Sequence, residues 1–198
     1  MIKKWKITIP ELTGSEKRYA YVYVPNEAKH HPERRYPVLY MFDGHNVFFD
    51  ADATYGKSWG MAEYMKRTRT PMIVAAVECN HSPDHGRLSE YSPFSFRARE
   101  LGFIEGRGRE TMEWFVNWFK PYVDSHFPTL PDRAHTFIGG SSMGGLMSLY
   151  AVTEYNHVFS RAAALSPSVW FAFDKIERMI AAAPLHPDTV VYLSLIHI

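Results

Sequence analysis

The chain has 198 residues, and its 22 lysines and arginines nearly balance 21 aspartates and glutamates, which gives a formal net charge of +1. This balance does not favour a nucleic acid partner. Hydrophobic residues make up 46% and aromatic residues 15%, which is typical of a folded globular chain and excludes a disordered one. A single domain of this length buries about 70% of its unfolded surface and needs no disulfide bonds for stability.

The single cysteine, Cys79, excludes an internal disulfide and a cysteine-based metal framework. No apolar run approaches the roughly 18 residues that cross a bilayer. The basic N-terminus from Met1 to Lys6 leads into alternating residues and lacks the apolar segment of a signal peptide. We therefore expect a cytoplasmic protein without a membrane partner.

Alternating polar and apolar residues predict two N-terminal strands, residues 5–9 and 18–24, joined as a hairpin at the edge of a sheet. From residue 36 onward, short apolar runs alternate with longer amphipathic stretches, as in buried parallel strands with crossover helices. The fold class is therefore α/β, with a mostly parallel sheet and an N-terminal antiparallel hairpin. The predicted parallel strands are residues 36–42, 72–78, 135–139, 161–166 and 189–195, and the predicted helices are residues 60–67, 109–127 with a kink at Pro121, and 143–155.

Two predicted loops, residues 43–59 and 79–108, are too long to be simple connectors. Long loops in a compact domain often carry function. We expect the aromatic residues Trp59, Tyr91 and Trp170, which lie in or near loops, to line a substrate cleft.

The segment from Gly140 to Gly144 reads Gly-Ser-Ser-Met-Gly and lies between an apolar strand and a helical pattern. A serine on a sharp strand-to-helix turn projects its hydroxyl clear of the sheet, and Gly140 and Gly144 allow neighbouring backbone to pass closely. Ser142 is the candidate nucleophile, and the Met143 N–H is a candidate oxyanion-hole donor at the helix N-terminus. The alternative is a glycine-rich turn that serves packing or cradles a phosphate.

A second oxyanion donor is expected in the loop after the first parallel strand. We assign it to the backbone N–H of His45, with Gly44 permitting the turn. Two roles are open for the His45 side chain. It could act as a base or metal ligand, or it could pack the loop or line the substrate site.

With these residues in view, the chain resembles the esterases of the α/β-hydrolase superfamily that include enterochelin esterases, feruloyl and acetyl-xylan type esterases, and mycolyltransferases. The resemblance covers about residues 35–192 and implies ester hydrolysis through Ser142, with His45 and Met143 at the oxyanion positions and no cofactor. The implied substrate is a small-molecule or glycan-linked ester. The stretches that carry the resemblance are residues 35–44 (RYPVLYMFDG), Arg87 with residues 90–94 (EYSPF), residues 139–145 (GGSSMGG) and residues 164–171 (ALSPSVWF).

A serine nucleophile needs a base and an acid, which in this superfamily follow it along the chain. His157 lies at the far end of the helix that Ser142 starts, and His186 precedes the last strand, so both are expected away from the site. His197 follows the last strand, but no later strand remains to supply a partner. Possible acids are Asp174, Glu177 and Asp188.

Residues 193–198 (LSLIHI) match the translation of a transposase sequencing adaptor. We therefore expect a single α/β-hydrolase domain, residues 1–192, that is truncated before its last strand, followed by an adaptor-derived tail. The acid and the histidine would then be absent, and this chain itself would be nearly inactive. The alternative is an ordinary apolar final strand.

Cys79, His81, Asp84 and His85 lie close together in the sequence, as zinc ligands do. Pro83 interrupts any helix that would align the two histidines, so no metal is expected. Within the same chemistry, acyl transfer to an alcohol or sugar is an alternative to hydrolysis. A further alternative is a non-catalytic member of the fold that binds a carbohydrate or a protein partner.

Overall fold

The structure is a computed structural model, and it describes residues 1–170 and 172–195. Seven strands form the main sheet, in the spatial order β1-β2-β4-β3-β7-β8-β9, and β5 and β6 form a separate small hairpin. The strands are β1 (Ile2–Thr8), β2 (Lys17–Tyr23), β3 (Val38–Met41), β4 (Ile73–Val77), β5 (Phe96–Ala98), β6 (Gly102–Ile104), β7 (Thr136–Ser141), β8 (Arg161–Leu165) and β9 (Val190–Ser194).

The N-terminal strands β1 and β2 pair antiparallel at one edge of the sheet, which confirms the predicted hairpin. A short helix that begins at Pro10 lies between them, in addition to the predicted turn. Strand β2 runs antiparallel to β4, whereas β4, β3, β7, β8 and β9 are all parallel. The mostly parallel sheet is therefore confirmed, and the loops that follow β3, β4, β7 and β8 all leave from the same edge.

The central strands form because their side chains are apolar on both faces of the sheet. In β4, Ile73, Ala75 and Val77 join the larger hydrophobic cluster, while Val74 and Ala76 join a smaller cluster on the other face. This period of two is the geometry of a pleated strand. Two-sided burial explains why the parallel strands read as continuous apolar runs in the sequence.

The helices cover both faces of the sheet. Helix α6 contributes Leu146 and Met147 to the larger cluster, and α2 contributes Ala62 and Met65 to the smaller one. The α-helices are α1 (Pro10–Thr13), α2 (Met61–Thr68), α3 (Gly86–Glu90), α4 (Gly108–Trp114), α5 (Lys120–His126), α6 (Met143–Glu154) and α7 (Phe173–Ala182). None of the described helices is both long and apolar enough to cross a membrane.

The predicted long helix at residues 109–127 is present as α4, a π-helical segment (Phe115–Phe119) and α5, which follow one another without a break. Pro121 cannot donate a backbone hydrogen bond, and the chain widens into π-helix immediately before it. The helices predicted at residues 60–67 and 143–155 are confirmed as α2 and α6. Helices α3 and α7 and the β5–β6 hairpin were not predicted from the sequence.

The tail predicted at residues 193–198 is described only in part. Leu193 and Ser194 belong to β9, which pairs parallel with β8. Residues 196–198 lie outside the described part of the chain, and with them the candidate base His197.

Candidate active site

Ser142 lies on a strained turn between β7 and α6. Its backbone angles are φ 56° and ψ −117°, a conformation that costs about 1–3 kcal/mol for a residue with a side chain. The turn is fixed because the Ser142 N–H donates to the Leu165 carbonyl oxygen at 2.9 Å and the Ser168 N–H donates to the Ser142 carbonyl oxygen at 3.0 Å. The side chain is exposed and stands at the N-terminus of a twelve-residue helix.

The glycines beside Ser142 occupy positions without room for a larger residue. A Cβ atom on Gly140 would lie 2.7 Å from the carbonyl carbon of Gly144. On Gly144 it would lie 3.0 Å from the Cβ of Phe42 and 3.3 Å from Oδ2 of Asp43. The start of α6 therefore packs directly against the loop that follows β3.

That loop begins at Asp43, which has a left-handed conformation with φ 55°, and continues as a 3₁₀ turn (Gly44–Asn46). The first hydrogen bond of the turn is donated by the Asn46 N–H to the Asp43 carbonyl oxygen. The N–H of His45 precedes that bond and so has no acceptor within the turn. A Cβ on Gly44 would lie 2.8 Å from the backbone of Val77, so only glycine fits this close approach to β4.

The loops after β3, β4 and β7 enclose a cleft of about 530 Å³. The lining includes Ser141 and Ser142 at the end of β7, His45 after β3, and residues of the segment that follows β4. The remaining lining residues are Asp43, Asn46, Thr54, Tyr55, Cys79, Asn80, His81, Ser82, Pro83, His85, Gly86, Arg87 and Leu88. Most of these residues have polar side chains, which suits a substrate with several hydrogen-bonding groups.

An ion pair holds the base of the cleft. Arg87 Nε and Nη2 each donate to one carboxylate oxygen of Asp43 at 2.7 Å. Burial opposes the charged form of Arg87, but the hydrogen bonds and charge of the Asp43 carboxylate outweigh it and raise the pKa of Arg87. The two hydrogen bonds fix both side chains in orientation.

Tyr91 supports this pair from beneath and does not line the cleft, so its predicted substrate-lining role is wrong. It is 1% exposed, and its hydroxyl accepts the backbone N–H of Asp43 at 3.2 Å. Its ring contacts Phe42 at a centroid distance of 5.1 Å. An aromatic residue on a long loop was assigned to the surface, but this loop packs into the core.

Trp59 and Trp170 are both exposed, and neither is among the described residues that line the cleft. The backbone N–H of Trp59 donates to Asn46, a cleft residue, so Trp59 lies near its margin. Substrate contact by these two residues stays a prediction.

Backbone strain concentrates around the cleft. Among the described residues other than glycine, positive φ angles occur at Asp43, Arg69, His85, Ser142 and Ser166. Asp43, His85 and Ser142 line the cleft, and Ser166 follows the neighbouring strand β8. Such outliers cluster at functional sites, where the surrounding structure enforces them.

Among the described residues, the Ser142 hydroxyl has a serine and not a histidine as its hydrogen-bond partner. The Ser142 and Ser168 hydroxyls lie 3.0 Å apart and share a hydrogen bond. The His186 N–H donates to Asn156. Nearby, Asp188 pairs with Arg133 at 2.8 Å, close to the start of β7. His186 therefore lies away from Ser142, as expected. His197 lies outside the described residues.

The ion pair of Asp43 with Arg87 in the cleft and the contact of Ser168 with Ser142 were not predicted, although all three residues fall within the stretches that carry the family resemblance. Ser168 follows β8, and Arg87 belongs to α3. Only the order of strands in the sheet brings these two residues to Ser142 and Asp43, so no local pattern could have identified their contacts.

The chain is similar to known proteins in sequence and in fold. A family model with the description "Putative esterase" matches residues 13–186. Among curated proteins, the chain is similar to the uncharacterized protein YbbA of Bacillus subtilis (strain 168), with 23% identity over 164 residues. The match covers 81% of this chain and 60% of the relative, so the chain spans about three fifths of that protein's length.

Two solved structures share the fold. Siderophore hydrolase EstA from Aspergillus nidulans has a TM-score of 0.72 and 20% identity, over 98% of this chain and 68% of that one. An IroE-like serine hydrolase from Shewanella oneidensis has a TM-score of 0.67 and 18% identity, over 93% of this chain and 57% of that one. The expected α/β-hydrolase fold is therefore confirmed.

Proposed function

We propose that this chain is part of a serine carboxylic-ester hydrolase in which Ser142 is the nucleophile. The chain belongs to the esterase family, whose model it matches over residues 13–186. The observation that carries this proposal is the strained Ser142, exposed at the start of α6 and facing a polar cleft. A packing turn would not need an outward-facing hydroxyl in a strained conformation. A phosphate-binding loop would need differently spaced glycines or a lysine.

In the proposed reaction, the Ser142 Oγ attacks the ester carbonyl carbon and loses its proton to a base. The carbonyl oxygen becomes an oxyanion, which accepts hydrogen bonds from the backbone N–H groups of Met143 and His45. Collapse expels the alcohol, which takes the proton from the base. Water then attacks the acyl-enzyme, releases the acid and restores the Ser142 hydroxyl.

Two features support these oxyanion donors. The Met143 N–H is one of the first amides of α6, which have no acceptor within the helix and lie at the positive end of its dipole. The His45 N–H precedes the first hydrogen bond of its turn. The contact of Gly144 with Asp43 brings the two segments together.

In this proposal the base is a histidine outside the described residues, because among the described residues the Ser142 hydroxyl shares its hydrogen bond with Ser168. Siderophore hydrolysis is an activity of the structural neighbour EstA. For this chain we propose the wider class of small-molecule or glycan-linked esters, which suits an open polar cleft of about 530 Å³.

The test uses the protein encoded by the complete gene, read from the source DNA to its stop codon. Wild-type protein should react with an organophosphonate probe and hydrolyse p-nitrophenyl acetate. The Ser142→Ala variant should lose the adduct, and its kcat/KM should fall by about 10³-fold or more. The matched control is Ser141→Ala, which removes the adjacent cleft serine and should keep the adduct.

Peptide mass spectrometry locates the adduct, and added alcohol acceptors distinguish transfer from hydrolysis by their acylated products. A wild-type protein that never reacts with the probe would refute the nucleophile and favour a binding role. An adduct that persists in Ser142→Ala but is lost in Ser141→Ala would refute the assignment of Ser142.

A further inference from the structure

Three side chains with metal-binding atoms meet in the cleft. His45, Cys79 and His81 each offer one ligand atom, and these three atoms all lie within 4.8 Å of one another. His45 follows β3, while Cys79 and His81 follow β4, which is the neighbouring strand in the sheet. The trio therefore exists only in the folded protein.

His45 has an unsatisfied nitrogen. The residue is 5% exposed, and its Nδ1 is buried without a hydrogen-bond partner among the described residues. Its Nε2 lies 3.1 Å from the Thr54 hydroxyl oxygen. If Nε2 carries the proton and donates it to Thr54, Nδ1 keeps a free lone pair. Metal-bound histidines commonly donate their other ring N–H to such an acceptor.

The two histidine rings of the trio are in direct contact. The His45 and His81 rings meet edge to face at a centroid distance of 4.7 Å.

Cys79 is 2% exposed and lines the same cleft. It forms no disulfide, so its side chain is a free thiol. A metal ion binds by forming an S–metal bond as the S–H bond breaks and the proton leaves to solvent.

We propose that His45, Cys79 and His81 form a binding site for a zinc-like divalent metal ion. One thiolate with two imidazoles is a donor set that suits Zn²⁺, and three protein ligands leave a fourth position open to water. From the sequence, no metal was expected at Cys79, His81, Asp84 and His85. The proposed site keeps Cys79 and His81, and His45 takes the place of Asp84 and His85.

The geometry requires only a small adjustment. Zinc bonds of about 2.0–2.3 Å in a tetrahedron place the ligand atoms roughly 3.5 Å apart. The atoms of the trio lie within 4.8 Å, so they must approach by about an ångström. The exposed side chain of His81 can make that movement, while His45 and Cys79 are buried. Asp43 stays outside the ligand set, because Arg87 holds both of its carboxylate oxygens.

The inference goes beyond the proposed function, because metal binding does not require Ser142 to react. The test is a titration of the full 198-residue chain, without an affinity tag, with Co²⁺ as a spectroscopic substitute and with Zn²⁺ by calorimetry. We expect one ion per chain, release of a proton, and a thiolate-to-cobalt charge-transfer band in the near ultraviolet.

Cys79→Ser should abolish the charge-transfer band, and His81→Ala, at an exposed position that does not threaten folding, should weaken Zn²⁺ binding by at least about 10-fold. Thr54→Val, which removes the acceptor of the His45 ring, should weaken it by about 10–100-fold. The matched control is His85→Asn, another cleft histidine outside the trio, because asparagine tolerates its left-handed backbone.

His85→Asn and Ser142→Ala should both bind Zn²⁺ as the wild type does. Absence of one-to-one binding at micromolar Zn²⁺ would overturn the site, as would unchanged binding in both Cys79→Ser and His81→Ala. If Ser142→Ala binds zinc normally while the complete protein lacks esterase activity, the metal site stands and the proposed function fails.

Discussion

At the scale of single residues, the cleft depends on positions where the backbone leaves no room for a Cβ atom. Gly139 and Gly140 are consecutive residues of β7, but their surroundings differ. A Cβ on Gly139 would meet Met41 Sδ at 3.3 Å, whereas one on Gly140 would meet the backbone of Gly144 at 2.7 Å. A flexible thioether can move aside, and the first turn of α6 cannot.

Gly140→Ala should therefore lower the free energy of unfolding by about 1–3 kcal/mol, the usual cost of forcing extra atoms into a packed site. Gly139→Ala is the matched control and should cost less. Urea denaturation followed by circular dichroism measures both variants. Equal destabilisation by the two substitutions would contradict the close contact between Gly140 and Gly144.

At the scale of elements, the five-residue helix α3 connects the cleft to the N-terminal strands. Its Arg87 holds Asp43, and its Glu90 accepts two hydrogen bonds from Arg18 of β2, at 2.7 and 2.9 Å. Both side chains of the Arg18–Glu90 pair are almost fully buried. Burial raises the pKa of Glu90, and Arg18 opposes that shift by favouring the carboxylate. The pair fixes the long segment after β4 against the sheet.

Arg18→Met should destabilise the protein by about 3–5 kcal/mol, because it leaves a buried carboxylate without its partner. The double variant Arg18→Met/Glu90→Leu should recover most of that loss, since neither charge then remains buried. Thermal unfolding of the three proteins gives the comparison.

The control for this prediction is Arg109→Ala, which removes an exposed ion pair with Glu113 and should have a much smaller effect. A double variant that is as unstable as Arg18→Met would indicate that packing, and not the unpaired charge, causes the loss.

At the scale of the whole molecule, the interior of the sheet and its β9 edge differ in burial. In β4 every side chain is buried, whereas in β9 four consecutive residues, Val190, Val191, Tyr192 and Leu193, are exposed. Among the described residues, β9 pairs only with β8. An exposed apolar edge strand is a template for pairing with other chains.

We therefore expect this 198-residue chain to self-associate in a concentration-dependent way. Tyr192→Lys should reduce that association, because a charged side chain on an edge strand opposes pairing. Tyr64→Lys, which adds the same charge at an exposed aromatic residue of α2, should not. Light scattering across a concentration series distinguishes them, and equal behaviour of the two variants would refute association through β9.

The tertiary structure decided which contacts form between elements. Ser142 meets Ser168, and His45 meets Cys79 and His81, because β3, β4, β7 and β8 end at one edge of the sheet. Strand order and register are properties of the folded sheet and leave no local sequence signal. For the same reason Tyr91 was assigned to the cleft, although the loop that carries it packs into the core.

The sequence by itself determined the strands of the main sheet, the helices α2 and α6, the helical segment from α4 to α5, and the position of the serine turn. Apolar runs predict buried strands because two-sided burial requires them, and a Gly-x-Ser-x-Gly turn predicts a strained serine because only glycine fits beside it. These signals are local, so they are visible in the chain. The ion pairs and the metal-binding trio depend on residues far apart in sequence, which only the folded sheet brings together.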